Sequence, residues 1–192
     1  MTIYHWIILA LWLVFIVVWA VSSRSAKPSA GGRRIWWWGI GIRLAIAAFV
    51  FLALRLFTLG PTLRAMHIHW VNWNAELGVA GVMLCALGVG LAVWSRATLG
   101  RNWGMPMSRK ENPELVTTGP YAYVRHPIYG GMLIAILGTA IGLSVVWIMP
   151  FALGAVYFIF AARREERLLM AQFAEQYPAY RKRTKMFVPF LL

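Results

Sequence analysis

Two groups of polar residues in this sequence have side chains of the types that bind ligands and catalyse reactions. The first is the segment from Arg101 to Tyr129, in which aromatic, basic and acidic residues follow one another between apolar stretches. The second is the adjacent pair Glu165 and Glu166, the only neighbouring acids in the chain, flanked by arginines. A carboxylate can bind ribose hydroxyls or an ammonium group, and aromatic rings can stack on a purine or face a cation.

Prolines give the first segment a defined shape. Gly119-Pro120 and His126-Pro127 restrict the backbone, because proline fixes its own φ angle and restrains the residue before it. A shaped loop that carries tyrosine rings beside a carboxylate would suit a zwitterionic nucleoside such as S-adenosylmethionine.

Each of these residues also has an ordinary structural interpretation. His126 beside a proline could be a structural hydrogen-bonding group, and the tyrosines could anchor the chain at a membrane interface. The glutamates could make i to i+4 pairs on a solvated helix face, for instance with flanking arginines. Of the two, Glu166 is the better candidate for such surface pairs.

The composition places the chain among membrane proteins. Of its 192 residues, 60% are apolar and 13% are charged, and the formal net charge is +13. The basic residues stand at the ends of apolar runs, where anionic lipid headgroups and the positive-inside rule explain them, so the lipid bilayer is the expected partner and nucleic acid is not. The single cysteine, Cys85, lies in an apolar run, and we predict no disulfide framework and no metal site.

Three stretches are long and apolar enough to cross a membrane, for which about 20 residues are needed. They are Ile3–Val21, Ile35–Leu59 and Leu77–Trp94. Two later stretches, Gly130–Gly142 and Val145–Phe160, are shorter and are joined by a turn-like sequence, which indicates a helical hairpin. The sequence therefore predicts an all-α integral membrane protein with about five transmembrane helices, the last two forming a hairpin.

The distribution of basic residues predicts the orientation. Residues 22–34, 96–127 and the tail from 163 are rich in lysine and arginine, whereas residues 58–75 contain one arginine. The positive-inside rule then places the N-terminus outside and the C-terminus in the cytoplasm, and we expect a bacterial inner membrane. We divide the chain into three N-terminal helices, residues 1–97, and a catalytic region, residues 98–192, which together form one integrated domain.

Two motifs and the C-terminal segment carry a family resemblance. Residues 115–121 read Leu-Val-Thr-Thr-Gly-Pro-Tyr and residues 125–131 read Arg-His-Pro-Ile-Tyr-Gly-Gly. The paired glutamates and the residues Phe173, Tyr177, Tyr180, Lys185 and Pro189 complete the pattern. Over roughly residues 98 to 190 the sequence resembles the isoprenylcysteine carboxyl methyltransferases and their bacterial and archaeal relatives.

The resemblance implies a cytoplasmic cofactor pocket that is closed by the loop before the hairpin and by the C-terminal helix. It also implies S-adenosylmethionine as the cofactor. By the family pattern, the residues in contact with it are Glu114, Leu115, Val116, Tyr121, His126, Pro127, Ile128, Tyr129 and Glu165. Eukaryotic members carry a substrate-orienting arginine one turn before the glutamate, where this chain has Ala161; Arg164 is the candidate for that role here.

The implied activity is methyl transfer to a small or lipophilic acceptor, such as the carboxyl group of an isoprenylcysteine-like substrate. Phospholipid N-methyltransferases are an alternative that differs in the acceptor. Membrane sterol reductases share an Arg-His-Pro-x-Tyr-Gly core but use NADPH, and their endings typically contain aspartate, which this chain lacks. A membrane scaffold or transporter subunit would leave the proline-shaped loop and the paired glutamates without a purpose.

Overall fold

The computed structural model describes residues 2–23, 74–103 and 114–187. Within these ranges the chain is helical apart from short connections and one isolated pair of bridged residues, which confirms the all-α prediction. The α-helices described are α1 (Ile3–Ser23), α2 (Ala75–Leu99), α3 (Pro127–Gly142), α4 (Ile148–Gln172) and α5 (Tyr177–Arg183). The predicted helix Ile35–Leu59 lies outside the described residues.

Helices α1 and α2 confirm two of the predicted apolar helices. Both are long and apolar enough to cross a membrane, with mean hydropathy of 2.3 and 2.2. Helix α2 begins where the Asn74 side chain accepts a hydrogen bond of 2.9 Å from the backbone N–H of Leu77, and Glu76 stands in its first turn. Both features stabilise a helix start, because they satisfy free N–H groups and complement the helix dipole.

Large apolar side chains cover the outer surface of the described helices. On α1, Leu13 and Val21 are 60% and 61% exposed, and on α4, Leu153 and Val156 are 63% and 70% exposed. Continuous apolar surface of this kind is unfavourable in water but not in lipid. The exposed faces therefore agree with the membrane environment that the composition indicates.

Glycines bring α2 and α3 into close contact. A Cβ atom on Gly88 would overlap the backbone nitrogen of Ala135 and the carbonyl oxygen of Gly131. A Cβ atom on Gly138 would likewise overlap the backbone of Cys85. The two backbones approach so closely because these positions have no side chain, as at many helix contacts in membranes.

We expect Gly88→Ala to destabilise the protein. The added methyl group would meet backbone atoms rather than flexible side chains, and overpacking of this kind costs about 1–3 kcal/mol. Gly90→Ala is the matched control, since a Cβ atom there meets nothing within 4 Å and alanine favours a helix. Thermal unfolding in detergent, followed by tryptophan fluorescence, measures the stability of both variants. Equal melting temperatures would contradict the close contact of α2 and α3 at Gly88.

Helix α4 is antiparallel to α3 and longer than the apolar stretch from which it was predicted. The rings of Tyr129, at the start of α3, and Phe158 are stacked with centroids 4.9 Å apart, whereas Gly154 lies beside Leu133, one turn further along α3. Pro150 stands in the first turn of α4, as expected. The helix continues to Gln172 without a break, and this extension carries the paired glutamates back to the start of α3. The number of membrane crossings and the depth of the hairpin stay predictions.

The segment after α5 returns to the second motif. Val124 and Lys185 form a parallel β-bridge. The backbone N–H of Arg125 donates to the carbonyl oxygen of Lys185 at 2.8 Å, and that of His126 donates to Met186 at 3.0 Å. The C-terminal segment, residues 184–187, is therefore one wall of the region in which the motif residues lie.

Candidate active site

The proline loop is a buried turn held by α5. Residues Gly119–Ala122 form a 3₁₀ turn, with Gly119 at a φ angle of 57° that glycine adopts without strain. Tyr121 is buried, and its carbonyl oxygen accepts a hydrogen bond of 2.7 Å from the hydroxyl group of Tyr180. The loop is therefore shaped, as its sequence predicts.

Three of the predicted cofactor residues meet in one cluster. The hydroxyl group of Tyr129 donates to Oε1 of Glu165 at 2.7 Å, and Nδ1 of His126 lies 3.4 Å from Oε2 of the same carboxylate. The rings of His126 and Tyr129 are nearly parallel, at an angle of 7° with centroids 5.6 Å apart. The start of α3 and the end of α4 thus hold a phenol, an imidazole and a carboxylate in contact.

Glu166 is not on a solvated face, and the expectation that it pairs with arginines one turn away is wrong. Its carboxylate is 7% exposed and lies 2.6 Å from Nε of Arg125 and 3.4 Å from Nε of Arg181. The helix face that carries Glu166 packs against the second motif and α5, while the neighbouring Arg163 and Arg167 point outward. Tertiary packing has therefore provided partners from distant parts of the chain.

Arg125 is the site residue that sequence reasoning missed. Besides its ion pair with Glu166, its Nη1 donates to the carbonyl oxygens of Arg181, at 3.3 Å, and Thr184. One guanidinium group thus joins the second motif, α4 and the C-terminal segment. The sequence does contain a signal for this role. Arg125 stands directly before His126-Pro127, and the chain has two adjacent acids, one of which would require a cationic partner if it were buried.

Charge pairing shifts the pKa values of the two partners in opposite directions. Burial lowers the pKa of His126, but the carboxylates of Glu165 and Glu166 outweigh this effect and raise it above its ordinary value. Burial raises the pKa of Glu166, but His126 and Arg125 outweigh it and lower the pKa to about 2. The cluster therefore favours the imidazolium form of His126 and the carboxylate form of Glu166.

These shifts predict the pH dependence of stability. The folded pKa of Glu166 is below its ordinary value of 4.5, so its contribution is present above pH 4.5 and is lost as the pH falls towards 2. The folded pKa of His126 is above its ordinary value of 6.5, so its contribution is complete below pH 6.5 and is lost as the pH rises through the folded pKa. We expect the melting temperature to be highest between these limits, and a His126→Gln variant to lose the alkaline part of the dependence. Equal alkaline slopes for both proteins would contradict the prediction.

Glu165 differs from Glu166 in its access to solvent. Its side chain is 25% exposed, against 7% for Glu166. Burial and the charge of Glu165 both raise the pKa of the Tyr121 hydroxyl well above its ordinary value, so this phenol stays neutral beside the carboxylate. Glu165 is therefore the carboxylate of the pair that a ligand can reach.

The other predicted site residues are less directly connected to the cluster. Pro127 and Ile128 are buried in the first turn of α3. Glu114 is exposed and accepts a hydrogen bond of 3.3 Å from Nδ2 of Asn102 at the end of α2, and Leu115 and Val116 follow it as partly buried, non-helical residues. Ala161 is buried and Arg164 is exposed on α4, so the substrate-orienting role of Arg164 stays a prediction, as do the cofactor contacts of residues 114–116.

Comparison with known proteins supports a methyltransferase family. Residues 77–176 match the model of a family described as phospholipid methyltransferase. The chain is 37% identical over 109 residues to a cobalt-zinc-cadmium resistance protein of Cupriavidus metallidurans, which covers 55% of this chain and 50% of that protein. It is 34% identical over 128 residues to protein-S-isoprenylcysteine O-methyltransferase B of Arabidopsis thaliana, which covers 64% of this chain and 62% of that protein. The chain thus spans only part of the length of these relatives.

A solved structure agrees with these matches. The structure of a eukaryotic intramembrane Ras methyltransferase, isoprenylcysteine carboxyl methyltransferase, is similar to this one with a TM-score of 0.52 and 29% sequence identity. The similarity covers 77% of this chain and 51% of that one. The chain therefore belongs to the phospholipid methyltransferase family, and the resemblance to isoprenylcysteine carboxyl methyltransferases that its motifs predict is confirmed.

Proposed function

We propose that this chain is a membrane methyltransferase that uses S-adenosylmethionine and transfers its methyl group to a small or lipophilic acceptor. The observation that carries the proposal is the difference between the two adjacent glutamates. Glu166 is buried in ion pairs that hold the fold together, whereas Glu165 contacts Tyr129 and His126 and its side chain is 25% exposed. One acid is structural and the other is available to a ligand.

The cluster fits the charge and shape of this methyl donor. S-adenosylmethionine supplies an electrophilic methyl group on a sulfonium and also carries an ammonium group and ribose hydroxyls. The Glu165 carboxylate can bind the ammonium group or the hydroxyls, and the ring of Tyr129 beside it can face a cation. Methyl transfer requires little covalent chemistry from a protein, because alignment of the reactants and exclusion of water lower the barrier. The buried ring of His126 and the half-buried ring of Tyr129 can form one dry wall of such a site.

The environment proposed for the reaction is the inner face of a bacterial membrane. The exposed apolar faces of α1 and α4 would contact lipid, and Arg163, Arg167 and Lys182, which are all exposed, lie on the cytoplasmic side under the positive-inside rule. An acceptor could then approach Glu165 from the bilayer. Carboxyl methylation of an isoprenylcysteine-like molecule is one reaction of this class, and methylation of a phospholipid amine is the second candidate because of the family match.

The test is transfer of a labelled methyl group from S-adenosylmethionine to an extract of lipids, small thiols and membrane proteins of the host. We expect labelled product with the full chain in detergent or nanodiscs, and none with heat-treated protein. A parallel binding measurement with NADPH separates the reductase alternative. Binding of NADPH without binding of S-adenosylmethionine would refute the proposal.

A further inference from the structure

The ring of His126 lies between two carboxylates, with one at each nitrogen. Nδ1 is 3.4 Å from Oε2 of Glu165, and Nε2 is 3.5 Å from Oε1 of Glu166. A neutral imidazole carries a single N–H group, so it would turn a lone pair towards one of these carboxylates, whereas an imidazolium presents an N–H group to each. Nε2 is buried without a hydrogen-bond partner, and two carboxylates within 3.5 Å of a ring that is 5% exposed favour the imidazolium form in the ligand-free protein.

The charged and titratable groups around the His126 ring determine which carboxylate stabilises its imidazolium form. The titratable and charged residues near the ring are Glu165 and Glu166 of α4, Tyr129 of α3, the neighbouring Arg125, and Arg181 and Tyr177 of α5, which act through Glu166. Arg125 already neutralises Glu166, at 2.6 Å. The positive charge of His126 is therefore balanced mainly by Glu165, which is also the carboxylate that a ligand can reach.

We propose that Glu165 and His126 form a proton-accepting pair for an acceptor with a proton on its nucleophilic atom, such as a thiol or an amine, and that binding of the cationic donor beside Glu165 first expels the His126 proton. This inference rests on the proposed function. A second cation beside Glu165 competes with His126 for the same negative charge, and a nearby like charge disfavours the imidazolium. The pKa of His126, which Glu165 helps to raise, should fall accordingly.

In this scheme, residues of this chain take up the proton that the acceptor loses during methyl transfer. The acceptor forms its new bond to the methyl carbon while the carbon–sulfur bond breaks, and that electron pair stays on sulfur. The proton of the acceptor passes to Oε2 of Glu165 and from there to Nδ1 of His126, which restores the imidazolium. A carboxylate acceptor is already ionised at neutral pH, with a pKa of about 4, and would not require this pair.

Calorimetry with two ligands tests the proton expulsion on the unmodified protein. The full chain in detergent is titrated at pH 7 with S-adenosylmethionine and with S-adenosylhomocysteine, which lacks the sulfonium charge, in phosphate and in Tris buffer. We expect the heat for S-adenosylmethionine to differ between the buffers by an amount that approaches one released proton, about the maximum for a single linked group. S-adenosylhomocysteine keeps the ammonium group, so an equal release for both ligands would assign the expulsion to that group, and a smaller release would assign it to the sulfonium. Equal heats in both buffers for S-adenosylmethionine would overturn the inference.

A variant and a product analysis complete the test. His126→Gln keeps a polar side chain but cannot titrate, so it should bind S-adenosylmethionine without proton release. If this variant does not fold, the comparison of buffers on the unmodified protein still decides. Base treatment of the labelled products hydrolyses methyl esters but not thioethers or methylamines, so complete loss of label as methanol would refute the proposed acceptor class. Failure of the unmodified protein to bind S-adenosylmethionine would refute the proposed function, whereas binding without proton release would refute this inference alone.

Discussion

Replacement of Glu165 by glutamine should weaken binding of S-adenosylmethionine by roughly ten- to a hundredfold, because a hydrogen bond to a charged group contributes about 1.5–3 kcal/mol. Glutamine keeps the size of the side chain and can still accept the hydrogen bond from Tyr129, so the change removes the charge with little effect on packing. Tyr129→Phe should have a smaller effect, since it removes the hydroxyl group that holds the carboxylate. Calorimetry or a filter-binding assay with labelled donor measures both.

Glu175→Gln is the matched control for this prediction. Glu175 is an exposed acid shortly after α4, so the same chemical change there alters the net charge equally without touching the cluster. Donor affinity should stay within experimental error in that variant. Unchanged affinity in both Glu165→Gln and Tyr129→Phe would show that this cluster is not the donor site.

Replacement of Arg125 by methionine should destabilise the protein by up to about 3–5 kcal/mol, the cost of removing one partner of a buried ion pair. Arg181 and His126, at 3.4 and 3.5 Å, stay beside Glu166 and reduce this cost. The variant removes the guanidinium group that binds Glu166 and the carbonyl oxygens of Arg181 and Thr184. The C-terminal segment should then separate from the second motif more often. Thermal unfolding measures the stability, and hydrogen exchange at the amides of Arg125 and His126, which bond to residues 185 and 186, reports the separation.

Two comparisons make this prediction specific. Arg163→Met removes the same kind of side chain from an exposed position of α4 and should change the stability little. The double variant Arg125→Met with Glu166→Gln should be more stable than the single Arg125 variant, because it no longer contains a buried carboxylate that has lost its nearest cation. Additive effects of the two substitutions would show that the ion pair does not couple the motif to α4.

The sequence predicts the elements and the motif residues better than it predicts their partners. The apolar runs that begin at Ile3 and Leu77 are helices, since burial or lipid contact favours helices in such runs. The loop residues Gly119 and Pro120 form a turn because their backbone preferences are local. Such features depend on neighbours in the chain, which a sequence shows directly.

The pairing of charges could not be predicted because it depends on which face of α4 is buried. Glu165 and Glu166 are about 100° apart on the helix, and the sequence offers Arg163 one turn before Glu166. The prediction for Glu166 was wrong because Arg125, some 41 positions away in the sequence, occupies its carboxylate. The length of α4 is a similar case: its polarity changes after Phe160, but the following alanines, arginines and glutamates are strong helix formers and continue the helix.

The contact between Val124 and Lys185 has a consequence for the order in which the site is completed during synthesis. The second motif leaves the ribosome well before residues 184–186, whose carbonyl oxygens accept its hydrogen bonds, because chains emerge from the N-terminal end at about 5–20 residues per second. Until those residues follow, Nη1 of Arg125 and the backbone N–H groups of Arg125 and His126 lack these carbonyl acceptors. The nascent chain can therefore form its apolar helices while the cluster around Glu165 is still without one wall.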